Sequence, residues 1–274
     1  MGEAVDLRRV DVDAVLDRVS RALGVQFDPS SVVRKRRSIG FASDRTTWVR
    51  IERRPDARID GQGWGIEAAA AITGVAMPTW RASTSWRGTD GAMWHADECD
   101  LVPGAPVKRG GRLLTDPGLP EEWWSVFGAS MDALRVQPTT RVATPDTVKA
   151  SQDHVSETIA RAFPEAGDTS VRTWRAAHAD LNWANIAGPA CMIFDWEDWG
   201  LAPEGLDAAT LWGDSLAVPS LAARVWAERR EDLESDDGRV MRLFTLAKVI
   251  AYGSEDDPLY GPARHVAASI LAVR

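Results

Sequence analysis

The hydrophobic pattern changes its period along the chain, from helical to alternating and back, and this limits the possible folds more than any other feature. Val12, Val15, Leu16, Val19 and Leu23 recur at three- and four-residue spacing, which predicts an amphipathic helix over about 10–24, stopped by Gly24. From Ser31 to Glu52 the residues alternate, with Val32, Val33, Ile39, Phe41, Thr46, Thr47, Trp48, Val49 and Ile51 supplying β-branched and aromatic side chains. That pattern predicts three short antiparallel strands with Ser43-Asp44-Arg45 as a hairpin turn. The alanine-rich run from Gly65 to Thr73 predicts a helix terminated by Gly74, and two further strands are expected near 79–87 and 92–102.

A Gly- and Pro-rich loop, Pro103 to Pro120, then separates this half from one with helical periodicity. Thr144-Pro145 reads as an N-cap and first helical residue, with Val148, Val155, Ile159 and Phe163 continuing one face until Pro164. After about residue 206 the chain again reads as mostly helical, and no internal repeat is visible. The expected fold class is therefore α+β, with a small antiparallel β-rich lobe over 1–103 containing one main helix, and a larger, mostly helical lobe over 104–274.

With 274 residues and 45% apolar content, the chain can bury a substantial core. The thirteen tryptophans are expected mostly inside it, because a large amphipathic ring gains most when half-buried or buried. A net charge of −8 argues against a nucleic-acid partner and is compatible with a cationic small substrate. Two cysteines, Cys99 and Cys191, and the lack of a long apolar run predict a cytoplasmic protein without membrane spans.

The stretch Ala177-His178-Ala179-Asp180-Leu181-Asn182-Trp183-Ala184-Asn185-Ile186, followed by Cys191-Met192-Ile193-Phe194-Asp195-Trp196, carries the chemistry. Its spacing is H-x-D-x-x-x-x-N and then an apolar strand ending in Asp. Phosphoryl transfer asks a protein mainly to position a hydroxyl, hold a metal on the phosphates and screen charge. One carboxylate can accept or orient the hydroxyl proton, while an amide oxygen and a second carboxylate are hard ligands suited to Mg²⁺. Ala187-Gly188-Pro189-Ala190 is a turn signal between two apolar runs, so Asn185 and Asp195 are expected at neighbouring ends of a hairpin.

These residues, with the continuation Gly200-Leu201-Ala202-Pro203-Glu204-Gly205-Leu206-Asp207-Ala208-Ala209, resemble the catalytic loop and metal-binding segment of the aminoglycoside phosphotransferases. The resemblance implies a two-lobed, protein-kinase-like fold and Mg²⁺-dependent transfer from ATP or GTP to a hydroxylated small molecule, an antibiotic by preference. It implies Asp180 as catalytic base, Asn185 and Asp195 as magnesium ligands, and His178 and Asp207 as supports of the loop. Ala179 stands where glycine is common. The same frame matches Glu67 to a helical glutamate that pairs with a basic residue on the third strand, here Arg50 in place of the usual lysine. Ser38, in a first hairpin whose only glycine is Gly40, is a candidate phosphate contact. The acidic region containing Trp226, Glu228, Glu231, Asp232, Asp256 and Asp257 is expected to wall the acceptor site.

Alternative readings are a nucleotide-binding pseudokinase, a ligand sensor, or a kinase of a sugar, choline-like compound or nucleoside. Gly61-Gln62-Gly63-Trp64-Gly65 reads as a flexible helix entry, because Ile66 stands where a dinucleotide loop needs its third glycine. Gly213-Asp214-Ser215-Leu216 resembles the nucleophile block of GDSL esterases. The only later histidine, His265, has Pro262 where that block requires aspartate, so the reading is rejected. Histidine and cysteine spacing contains no zinc pattern, and His95 with Cys99 alone supplies too few ligands.

Overall fold

The structure, a computed structural model, describes residues 5–55 and 64–272. Gly61 to Gly63 of the glycine-rich stretch lie outside the described residues. The chain divides into two compact units, one formed by residues up to Ala71 together with Met77–Pro103, the other by Ile72–Ala76 and everything from Gly104 onward.

In the first unit, helix α1 (Asp13–Leu23) ends on Gly24 at φ 68°, whose N–H reaches back to the Ser20 carbonyl. Strands β1 (Val33–Arg34), β2 (Ser38–Ala42) and β3 (Thr47–Arg54) follow, then the short helix α2 (Gly65–Ala69) and strands β4 (Trp80–Arg87) and β5 (Met93–Asp100). They form one antiparallel sheet in the order β1-β2-β3-β5-β4. Alternation gives the sheet two unlike faces. Ile39, Phe41, Val49, Ile51 and Ala96 cluster with Leu16 and Val19 of α1. The opposite parity carries Ser38, Gly40, Trp48, Arg50, Glu52, His95 and Asp97.

The helix expected over 65–73 stops at Ala69. A five-residue helix gains little from propensity alone. Beyond it Gln137 takes over the backbone of Thr73, donating from Nε2 to its carbonyl (3.0 Å) and accepting its N–H (3.4 Å).

The second unit starts with β6 (Ala105–Pro106), α3 (Glu121–Arg135) and α4 (Gln152–Ala162). Residues 145–147 form a single tight turn, not the start of α4 as expected. Asp146 and Thr147 have φ of 57° and 67°, which breaks helical geometry, and Ser151 is the true N-cap, accepting from the His154 N–H. Strands β7 (Trp174–Ala177), β8 (Ile186–Gly188), β9 (Met192–Ile193) and β10 (Gly200–Pro203) form two small antiparallel groups, β10-β7 and β6-β8-β9. Helices α5 (Leu206–Asp214), α6 (Pro219–Glu228), α7 (Arg230–Glu234), α8 (Asp236–Tyr252) and α9 (Tyr260–Ala272) complete the unit. Among the described residues no helix is long and apolar enough to cross a membrane.

An aromatic cluster packs against Trp183 and the strand that begins at Ile186. Trp123 stacks on Phe127 and Trp183, and Trp124 meets Trp183 edge-on. The Trp123 Nε1–H donates to the Ala187 carbonyl at 2.8 Å, so its polar tip is satisfied inside the core.

Candidate active site

The β7–β10 ladder and the β8–β9 hairpin bracket the two segments that matter. Gly200 pairs with Ala177, so the chain leaves β7 directly into His178-Ala179-Asp180 and reaches β10 directly after Asp195–Trp199. At the hairpin Ile186 pairs with Ile193, and the Phe194 N–H donates to the Asn185 carbonyl (3.0 Å). Asn185 and Asp195 thus flank the open end of one hairpin, as the turn signal at 187–190 predicts.

The Asp180 carboxylate is gripped at both oxygens. Asn182 Nδ2 donates to Oδ1 at 3.0 Å, and Asn185 Nδ2 donates to Oδ2 at 2.8 Å and to the Asp180 carbonyl at 2.9 Å. Burial, reinforced by the negative charge of Asp195, pushes the Asp180 carboxyl up to about 6, and the two amide donors only partly offset this. Concentrated negative charge that ionises reluctantly is what a cation would relieve.

His178 and Asp207 hold this loop in place. The Asp207 carboxylate, in the first turn of α5, accepts the His178 N–H (2.7 Å) and the Ala179 N–H (2.8 Å). The His178 ring, fully buried, bonds the Phe194 carbonyl through Nε2 at 3.0 Å and so ties the loop to the residue before Asp195. Because a carbonyl only accepts, the proton sits on Nε2. Burial holds His178 below its ordinary value, and burial likewise raises Asp207 despite its two N–H donors and the nearby imidazole. Gly205, at φ 85°, makes the turn into α5; a Cβ there would come within 3.1 Å of the Gly238 Cα and 3.3 Å of the Asp232 carbonyl.

Two non-glycine residues of the site, Ala179 (φ 68°) and Asp195 (φ 66°), occupy the left-handed region. Such strain persists where neighbouring contacts over-determine the backbone, here the Asp207 bond to the Ala179 N–H. The Ala179→Gly variant is expected to be more stable by about 0.5–1 kcal/mol, the relief of left-handed strain minus the added freedom of the unfolded chain. Urea unfolding of the two proteins checks this, and a loss of stability would count against the strain.

Sequence reasoning missed three contributors. Asn182 lies inside the motif, but nothing in its spacing says that it orients Asp180. Asp146, in the strained turn at 145–147, is close enough to push Asp180 further upward, and it is itself paired with Lys248 Nζ at 2.6 Å. Thr144 anchors that turn by donating through Oγ1 to Asp198 (2.7 Å), three residues beyond Asp195. The helical signal read at Thr144-Pro145 concealed this turn.

Arg50 and Glu67, expected as a pair, make these contacts among the described residues. Arg50 pairs with Glu52 at 3.0 Å, its same-face neighbour two positions along β3, and Glu52 also pairs with Arg54 at 2.7 Å. Glu67 accepts from Ser83 Oγ at 3.1 Å and approaches His95. Ser38 opens β2 opposite Glu52. A Cβ on Gly40 would lie 2.2 Å from the Trp48 ring, so the indole fills the space that the glycine leaves.

Most of the acidic residues expected to wall an acceptor are engaged in ion pairs: Glu228 with Arg224, Asp232 with Arg229, and Asp257 with Arg112. Trp226 donates to Glu234. Ser215 is fully buried, donating to the Leu211 carbonyl and accepting from Trp183 Nε1, and is a structural residue with no access to substrate. Its neighbour Asp214 binds Lys108 at 2.7 Å.

No family model matches the sequence, and no curated protein matches it. Solved structures do match. A thermostable variant of aminoglycoside phosphotransferase APH(4)-Ia, in ternary complex with AMP-PNP and hygromycin B, superposes with a TM-score of 0.60 at 16% identity, covering 94% of this chain and 98% of that one. Amicoumacin kinase hAmiN, in complex with AMP-PNP, Ca²⁺ and Ami, gives 0.56 at 13% identity, with 97% and 93% covered. The GDP complex of aminoglycoside 2'-phosphotransferase-IIIa gives 0.54 at 14% identity, with 96% and 99% covered. At these identities the likeness concerns architecture, and the chain has the kinase-like α+β fold of the aminoglycoside phosphotransferases.

Proposed function

We propose that this chain transfers the γ-phosphoryl group of ATP or GTP to a hydroxyl of a small molecule. The observation that carries the reading is a buried carboxylate, Asp180, held at both oxygens by amide donors, with Asn185 and Asp195 beside it. In this reading Asp180 orients the acceptor hydroxyl and takes its proton. Asn185 spends its amide nitrogen on Asp180, which leaves its oxygen as the coordinating end, and Asp195 adds a carboxylate. This all-oxygen set fits Mg²⁺, which when bound would screen the phosphate charge. His178 and Asp207 fix the loop and touch no reacting atom.

Arg50 and Ser38 lie on the polar face of the first unit and are the proposed phosphate contacts there, with Glu52 taking the orienting part that the resemblance gives to Glu67. Arg50→Ala is expected to weaken nucleotide binding about tenfold, the loss of one charge-assisted contact, and to leave acceptor binding unchanged in titration calorimetry.

A cationic antibiotic is the favoured acceptor class. Net charge −8 favours a cation, and structures of this fold hold hygromycin B or kanamycin. The test is incubation with ATP or GTP, Mg²⁺ and a panel of hydroxylated antibiotics, sugars, choline-like compounds and nucleosides, followed by mass measurement of an added phosphate. Tight nucleotide binding with no product from any acceptor would favour a pseudokinase or sensor. Asp195→Asn is expected to weaken Mg²⁺-dependent nucleotide binding at least tenfold, with partial recovery at high Mg²⁺. Calorimetry with a nonhydrolysable nucleotide at two Mg²⁺ concentrations checks this.

A further inference from the structure

We infer that Glu67, His95 and Asp97 form a binding site for a divalent transition-metal cation, with Zn²⁺ the best-suited ion. The site lies wholly in the first unit, where it would join α2 to β5 on the face that also carries Arg50 and Glu52, and the inference does not rest on the proposed phosphotransfer. One oxygen from each carboxylate and one ring nitrogen of His95 all lie within 4.8 Å of one another. His95 Nε2 is 2.9 Å from Asp97 Oδ2 and 3.9 Å from Glu67 Oε2. Ligands about 2.0–2.1 Å from a tetrahedral Zn²⁺ sit roughly 3.3 Å apart, so these separations bracket the required edge.

One atom of the cluster, His95 Nε2, is aimed at the two carboxylates. It is buried and has no hydrogen-bond partner among the described residues, although Asp97 Oδ2 is near enough to be one. The carboxylate oxygen lies off the direction an N–H would need. A lone pair on Nε2 accounts for this, and it follows if Nδ1 carries the proton and donates to Ser85 Oγ at 2.7 Å. An unpaired buried nitrogen costs free energy, whereas a metal would use its lone pair.

Each ligand is also steadied from behind. Ser85 holds His95, Ser83 Oγ donates to Glu67 Oε2 at 3.1 Å, and Trp80 Nε1 donates to Asp97 Oδ1 at 3.1 Å. All three partners come from β4, where a register shift between Trp80 and Ala82 brings Trp80 onto the face of Ser83 and Ser85. Outer bonds of this kind orient metal ligands. The His95 and Asp97 side chains are each 8% exposed and that of Glu67 is 38% exposed, so an ion can enter beside Glu67. The Trp64 ring covers the imidazole with centroids 4.7 Å apart. One imidazole with two carboxylates suits zinc better than magnesium and leaves a fourth position for water. Histidine and cysteine spacing could not reveal this set, because two of the ligands are carboxylates and one of them lies 28 positions before His95.

Elemental analysis of chelator-stripped protein, dialysed against micromolar Zn²⁺ with millimolar Mg²⁺, tests the inference without reference to activity. One zinc per chain is expected for the wild type and for Asp195→Asn. Glu67→Gln, which alters a half-exposed side chain and is expected to fold, should bind at least tenfold more weakly, and Ser85→Ala about 10–100-fold more weakly. A wild-type protein that retains no zinc, a Glu67→Gln variant that binds like the wild type, or zinc lost only in Asp195→Asn would each overturn it.

Discussion

Replacing Asp180 with Asn is expected to leave the fold and nucleotide affinity largely intact and to lower phosphoryl transfer by about 10²–10⁴-fold, the range for removing a positioned acid–base group. An amide keeps the size of the side chain but loses the charge that takes a proton, and one of its ends then faces an amide donor of Asn182 or Asn185. The same carboxylate sets a pH dependence. Burial and Asp195 raise Asp180 to about 6, so the base is ionised above that pH and protonated below it. kcat/KM is therefore expected to fall about tenfold per unit as pH drops below about 6, and a divalent cation beside Asp195 should move this limb downward by favouring the carboxylate. A transfer assay across pH, with circular dichroism and nucleotide calorimetry on the variant, separates lost chemistry from lost structure. Near-normal transfer by Asp180→Asn would remove the active-site assignment.

The Asp207→Ala variant should fail for a different reason. Its carboxylate is the acceptor for two buried N–H groups, those of His178 and Ala179, and truncation leaves both without a partner. At about 1–3 kcal/mol for each unsatisfied buried group, the loss is about 2–6 kcal/mol, a large part of a typical domain's stability. Ala179 would also lose the bond that helps to hold it in the left-handed region, so the loop should relax and carry Asp180 with it. Urea unfolding is expected to show a lower midpoint, and any folded fraction should bind nucleotide yet transfer poorly. An Asp207→Asn variant keeps one acceptor oxygen and should lie between the two. Full stability in Asp207→Ala would show that water satisfies those N–H groups and that the carboxylate is not the support of the loop.

What the sequence could and could not reveal divides by the range of the forces involved. Alternation in Ser31–Glu52 and the helical spacing of Val12–Leu23 act over neighbouring residues, so β2, β3 and α1 were legible from the chain alone. The same holds for the hairpin joining Asn185 to Asp195, because a turn and two short apolar runs lie within eleven consecutive residues. The length of α2 was not legible, since Gln137 intercepts the chain at Thr73 from 64 residues away.

Local signals also misled where tertiary contacts prevailed. Thr144-Pro145 has the composition of a helix start, yet the Thr144 hydroxyl is committed to Asp198, and the chain turns through left-handed geometry before Ser151 caps α4. Arg50 found its ion partner two positions along its own strand because β-pleating places residues 50 and 52 on one face. Glu67 lies near His95 and Asp97, which are distant from it in the chain. By itself the sequence determined the periodicity of the elements and the spacing of Asp180, Asn185 and Asp195, because both are properties of consecutive residues. Only the tertiary structure decided which polar side chains share a buried space, because hydrogen bonds and charge repulsion depend on distance in space, and distant parts of the chain supply the partners.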